Sequence, residues 1–126
     1  HIDGGLLNHY MADGLIVTTP TGSTGYSLSV GGPILAPMSG TLCISPIASH
    51  SLNTRPVVVT DNVSIDLAVE SRTNNFLLAI DGRSESVPSK DKISITKAPF
   101  KIAVIKINHK NFYDTLRDKM AWGRRG

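Results

Sequence analysis

The amino-acid sequence predicts a mainly β domain of antiparallel, sandwich-like build, with one short helix after the first strand and a second helix near the end. Apolar side chains alternate every second position in several short runs, and turn-forming clusters of Asp, Asn, Gly, Ser and Pro separate those runs. Helix signals occur only twice. The first is a hydroxyl-rich start closed by Gly31-Gly32-Pro33, and the second is a four-residue apolar spacing that begins beyond Asn111.

In chain order, His1-Ile2-Asp3-Gly4-Gly5 reads as a hairpin turn at Asp3-Gly4 entered partway through a strand, and we expect the chain to be part of a longer protein. A short buried strand is expected over residues 15–18, followed by a Gly, Ser and Thr-rich turn and the first helix. Further strands are expected over residues 41–44, 63–69, 76–80, 93–96 and 100–107. In the second of these runs Val63, Ile65, Leu67 and Val69 share one face. Val57-Val58-Val59 is a continuous apolar run, which predicts a strand covered on both faces. Between Val104 and Ile105 the apolar phase changes, the mark of a bulge or of a strand that switches sheets. Turns fall at Thr60-Asp61-Asn62, Arg72-Thr73-Asn74-Asn75, Asp81-Gly82 and Pro88-Ser89-Lys90-Asp91. Phe112, Leu116 and Met120 then line one face of a terminal helix expected to pack on the domain's own sheet.

Composition narrows the class. The 126 residues suit one domain, and 40% apolar with 18% charged residues fits a packed core, which excludes a disordered segment. No apolar run approaches the ~20 residues needed to cross a bilayer and no signal peptide is evident, so a soluble, cytoplasmic protein without a membrane partner is expected. The single cysteine, Cys43, lies in an apolar run and reads as a buried thiol. The net charge of +3 comes largely from basic residues near the end, where no interleaved aromatics suggest a nucleic-acid surface. His1, His9, His50 and His109 lack metal-ligand spacing, and no metal site is expected in the chain.

The most informative stretch is Asp13-Gly14-Leu15-Ile16-Val17-Thr18-Thr19-Pro20-Thr21-Gly22-Ser23-Thr24-Gly25-Tyr26-Ser27-Leu28-Ser29. A strand feeding a helix through small hydroxyl residues makes a corner where Thr21, Ser23, Thr24 and the first backbone N–H groups of the helix can meet a ligand. It lacks the lysine of a P-loop, the spacing of a dinucleotide fingerprint and the Gly-x-Ser-x-Gly of a nucleophile elbow. From spacing alone, a plain helix cap with a glycine stop explains the stretch equally well.

The stretch closely resembles the signature of NAD kinases, and the similarity continues through Gly31-Gly32-Pro33, residues 44–58, Asp81-Gly82 and the closing residues 112–122. The resemblance implies that residues 1–126 form the C-terminal β domain of a two-domain kinase. That kinase uses ATP with a divalent metal to phosphorylate the 2′-hydroxyl on the adenosine ribose of NAD, giving NADP. The catalytic carboxylate of such enzymes lies in a Gly-Gly-Asp-Gly-Thr motif of an upstream α/β domain, and that motif does not occur here. The chain alone is therefore expected to bind substrate without completing the chemistry.

By position, the resemblance assigns Thr21, Thr24, Gly25, Tyr26 and Ser29 to the NAD site. Thr24 and Ser29 offer hydroxyls to adenine and ribose, and Tyr26 forms part of the pocket wall. Asp13 and Ala48, within Ile47-Ala48-Ser49-His50, match residues that complete the nicotinamide end of a site, commonly on a neighbouring subunit. A homo-oligomer, dimer or tetramer, is implied with them. Asp81 matches a residue lining the substrate cleft. Gly25 stands where many relatives carry Ala, and Gly82 where some carry a polar side chain. Two other readings are a β domain of a lipid kinase related to diacylglycerol kinases, and a non-catalytic β module that binds a dinucleotide or a protein.

Overall fold

The computed structural model describes residues 1–101 and 110–123. The opening hairpin closes at Asp3 and Gly4, whose φ values of 47° and 82° are those of a two-residue type I′ turn, and Ile2 bridges Gly5 across it. Strand β1, Gly14–Thr18, leads into a 3₁₀ turn over Thr21–Thr24 and the single-turn helix α1, Tyr26–Ser29. Then come β2 (Thr41–Ile47), β3 (Val57–Thr60), β4 (Ile65–Leu67), β5 (Asn75–Ile80), β6 (Arg83–Pro88), β7 (Ile93–Ile95) and the C-terminal helix α2 (Phe112–Met120).

All described pairings are antiparallel: β1-β2-β3 form one sheet, β4-β7 a second and β5-β6 a hairpin. The opening hairpin extends the second sheet. Ile2 bridges Ile65, the Asp3 N–H donates to the Ser64 carbonyl, and the Ser64 N–H donates at 2.7 Å to the Asp3 carboxylate. Leu42 and Ile44 of β2 meet Ile65 of β4 in the core, and Leu15, Val17, Val59, Val63, Leu67, Ile95, Ile2 and Tyr10 close around them. Two sheets thus share one apolar layer, in the sandwich-like manner expected.

Several expectations change in detail. The strand buried on both faces is β2, where Leu42 and Ile44 face the shared core while Cys43 and Ser45 are buried on the opposite face. The valine run expected to be covered twice is instead β3, which pairs only with β2 among the described strands and leaves Val58 46% exposed. The run over 63–69 keeps regular pairing only at Ile65–Leu67, although Val63 does pack on the core. Strand β6 has no sequence counterpart among the expectations, since Val87 is its one buried residue. It pairs with β5 through the turn Asp81-Gly82, whose φ values of 48° and 83° repeat the geometry of the opening hairpin.

Helix α2 forms where its apolar spacing placed it, and its start is secured by a capping box. The Asn111 side chain accepts from the Asp114 N–H at 2.8 Å, and the Asp114 carboxylate accepts from the Asn111 N–H. Leu116 is buried and Tyr113 exposed. The strand expected over residues 100–107, with its phase change, falls almost wholly outside the described residues. No described helix is long and apolar enough to cross a membrane.

Burial raises the phenol pKa of Tyr10 above its ordinary value, outweighing a hydrogen bond with Asn8 that lowers it. The native state therefore holds this proton to higher pH than the unfolded chain does. The stabilisation is complete below about pH 10, the ordinary tyrosine pKa, and is lost as pH rises through the raised native value. Tyr10→Phe should flatten the alkaline fall in the thermal unfolding midpoint and remove the latest component from a tyrosinate absorbance titration. If the phenol lost in Tyr10→Phe titrates no later than an ordinary tyrosine, the placement of Tyr10 against the core is refuted.

Candidate functional site

The corner after β1 is built by turn geometry. The Ser23 N–H donates to the Pro20 carbonyl and the Gly25 N–H to Gly22, so the side chains of this turn repeat every three residues. Ser23 points inward and is fully buried, its Oγ donating to the Pro20 carbonyl at 2.7 Å and accepting from the Leu35 N–H at 3.0 Å. It was expected to join the ligand-facing hydroxyls, and the structure corrects this: Ser23 fastens the corner to residue 35. Ser27 is also buried, and its Oγ has no partner among the described residues.

Helix α1 ends in a paired closure, the Gly31 N–H donating to the Leu28 carbonyl and the Gly32 N–H to Ser27 at 2.8 Å. Gly31 takes the left-handed conformation this closure needs, with φ of 87°. A Cβ on Gly32 would fall 2.7 Å from the Ser27 carbonyl oxygen, so glycine there permits the chain to fold back on the helix. With a single turn and no side-chain cap, α1 offers little of the backbone anion-binding expected from a helix start. What the corner presents to solvent is side chains. Tyr26 is 64% exposed, Thr21, Gly25 and Ser29 are exposed, and Thr24 is half-buried.

A second group gathers at the other end of β1. The Asp13 N–H donates to the Ile47 carbonyl at 2.9 Å and the His50 N–H donates to the Met11 carbonyl at 2.8 Å, so Asp13 and the residues 47–50 sit side by side. Ala48 there has φ of 49° and turns the chain away from β2. The Asp13 side chain is exposed and makes no hydrogen bond among the described residues. The two groups are separated by β1 itself, about 13 Å at roughly 3.3 Å per residue. Asp81 is at the exposed tip of the β5-β6 hairpin.

None of the expected residues lines an open groove of ≈ 530 Å³ between residues 7–11 and 51–57. Its walls include His9, Tyr10, Asn53 and Arg55, and the Arg55 guanidinium donates to the carbonyls of Leu52 and Thr54. Sequence reasoning assigned none of these residues to a site, although Asn53 and Arg55 fall within the stretch 44–58 that carries the resemblance. Among the described residues no three His, Cys, Asp or Glu side chains group as metal ligands.

A family model described as the ATP-NAD kinase C-terminal domain matches residues 1–107. The chain belongs to that family. An NAD kinase from Bacteroides fragilis is 55% identical over 122 residues, and one from Flavobacterium psychrophilum is 52% identical over 123. These alignments cover 97% and 98% of this chain, which spans 42% of the length of either relative. Among solved structures, an NAD kinase from Archaeoglobus fulgidus in complex with ATP matches with a TM-score of 0.70 and 33% identity, covering 79% of this chain and 38% of that one. A yeast NADH kinase complexed with NADH matches over 100% of this chain and 40% of its own, with a TM-score of 0.75 and 27% identity. The fold of this NAD kinase C-terminal domain is thus shared by enzymes solved with either nucleotide.

The buried hydroxyl of Ser23 makes a separable prediction. Ser23→Ala leaves the Leu35 N–H without its acceptor and should cost about 1–3 kcal/mol in denaturant unfolding. A stability within a few tenths of a kcal/mol of the parent chain would contradict the anchoring role.

Proposed function

We propose that this chain is the NAD-binding C-terminal part of an NAD kinase. The whole enzyme transfers the γ-phosphoryl group of ATP to the 2′-hydroxyl of the NAD adenosine ribose in the cytoplasm. The hydroxyl oxygen forms the new bond to phosphorus as the bond to the ADP leaving group breaks, and its proton passes to a carboxylate of the upstream domain. A divalent metal accompanies ATP, and the described residues of this chain supply no cluster to hold it.

The observation that carries the reading is the coincidence of family membership with an open, polar surface at Asp13, Thr21, Thr24, Tyr26, Ser29 and Ala48. Hydroxyls of Thr24 and Ser29 suit adenine and ribose, and the Tyr26 ring suits a pocket wall. The carboxylate of Asp13 suits an amide or a ribose hydroxyl. Asp81 contributes from the hairpin tip.

The separation of the two groups along β1 supports an assembled site. A single chain leaves both groups on open surface, so each needs a roof from the upstream domain or from a second subunit. A homo-oligomer in which Asp13 and Ala48 of one copy face the corner of the next satisfies this. In the full-length enzyme, Tyr26→Ala and Asp13→Asn should each lower kcat/KM for NAD by about tenfold or more with the unfolding midpoint preserved. Unchanged kinetics in both variants would sink the site assignment. The 126-residue chain alone should yield no NADP from NAD and ATP.

A further inference from the structure

The C-terminal helix brings a cation to the corner: Lys119 Nζ lies 3.1 Å from Thr24 Oγ1, across a sequence separation of 95 residues. We infer that Lys119 is a positioning residue that fixes the direction of the Thr24 hydroxyl, so that Thr24 is presented to the dinucleotide as a hydrogen-bond donor. This rests on the reading above that Thr24 lines the NAD site.

The argument is one of donors and acceptors. An ammonium carries three donors and no acceptor, so in this contact Thr24 Oγ1 must accept. The Thr24 hydrogen is then turned away from Nζ, because two hydrogens cannot share the line between the atoms. Thr24 Oγ1 makes no other hydrogen bond among the described residues, so its hydrogen is left for a ligand acceptor such as a ring nitrogen or a ribose oxygen.

Lys119 is free for this task because the acidic groups of its helix are engaged elsewhere. Asp114 pairs with Arg117, and Asp118 with Lys110 at 2.7 Å. The helix is also held at both ends. Its start has the Asn111 capping box, and its end is closed by the Trp122 N–H donating to the Arg117 carbonyl at 3.0 Å, beyond the left-handed Ala121. Lys119 sits between these fixed points, one residue before the closing Met120.

The test is a double-mutant cycle in the full-length enzyme, read as kcat, KM for NAD and unfolding midpoint. Thr24→Val should raise KM about tenfold, Lys119→Met should raise it by about five- to tenfold with kcat held within about twofold, and the double variant should be no worse than Thr24→Val. Lys119→Arg, which still donates, should restore KM to within about threefold. If Lys119→Met raises KM equally in the Thr24→Val background, the lysine acts directly on substrate charge and the inference is overturned. A lowered unfolding midpoint that Lys119→Arg fails to restore, with no KM change, would make it structural and also overturn it. If Thr24→Val raises KM while Lys119→Met does not, only the role of Lys119 fails. An unchanged KM in Thr24→Val removes Thr24 from the NAD site, and with it the reading on which the inference stands.

Discussion

The rest of the domain depends on the burial of β2 from both sides. Its register places Gly14 opposite Ile47 and Thr18 opposite Cys43, which fixes both ends of β1 and therefore both groups of candidate ligand residues. One face of β2 sends Leu42 and Ile44 to the core shared with Ile65, and the other buries Cys43 beside Ser45 with their side-chain heteroatoms 3.5 Å apart. A slip of one residue would exchange the two faces and put Cys43 and Ser45 where the apolar layer needs leucine and isoleucine. The position of the candidate site is thus set by packing at a distance from it.

Hydroxyl residues divide the work at the corner according to turn geometry. Ser23 and Ser27 occupy the inward positions, where their small size lets residues 32 and 35 approach the backbone closely. Thr21, Thr24 and Ser29 fall on the outward side, and Tyr26 stands clear of the surface beside them. A composition that looks uniform along the chain is therefore two-sided in space, one side holding the loop and the other open to solvent.

Much of this was legible in the sequence, for reasons that can be named. Asp3-Gly4 and Asp81-Gly82 demand positive φ at both central residues, and each forms the two-residue turn that its residues favour. The four-residue spacing of Phe112, Leu116 and Met120 gave α2 its place because no other regular structure repeats that way. The valine run of β3 was misjudged because an apolar run states what a strand could bury, and only its neighbours decide whether it lies at an edge. Strand β6 was invisible because Arg83, Ser84, Glu85 and Ser86 carry no alternation, and its pairing with β5 follows from the turn. At the corner, residue types marked a candidate site, yet the direction of each hydroxyl depended on a 3₁₀ period that the glycines obscure. The contact of Lys119 with Thr24 joins segments that no local pattern connects.

The enclosure of Cys43 gives the molecule an internal clock for opening. It is the only thiol in the sequence, it is 0% exposed, and it sits in the strand whose two-sided burial organises the fold. A thiol reagent reaches it only when β2 parts from what covers it. In the regime where reclosing outpaces alkylation, the labelling rate measures the free energy of that separation. Any ligand that binds only the closed form would slow the labelling in proportion, so the native cysteine would report on binding without any residue being changed.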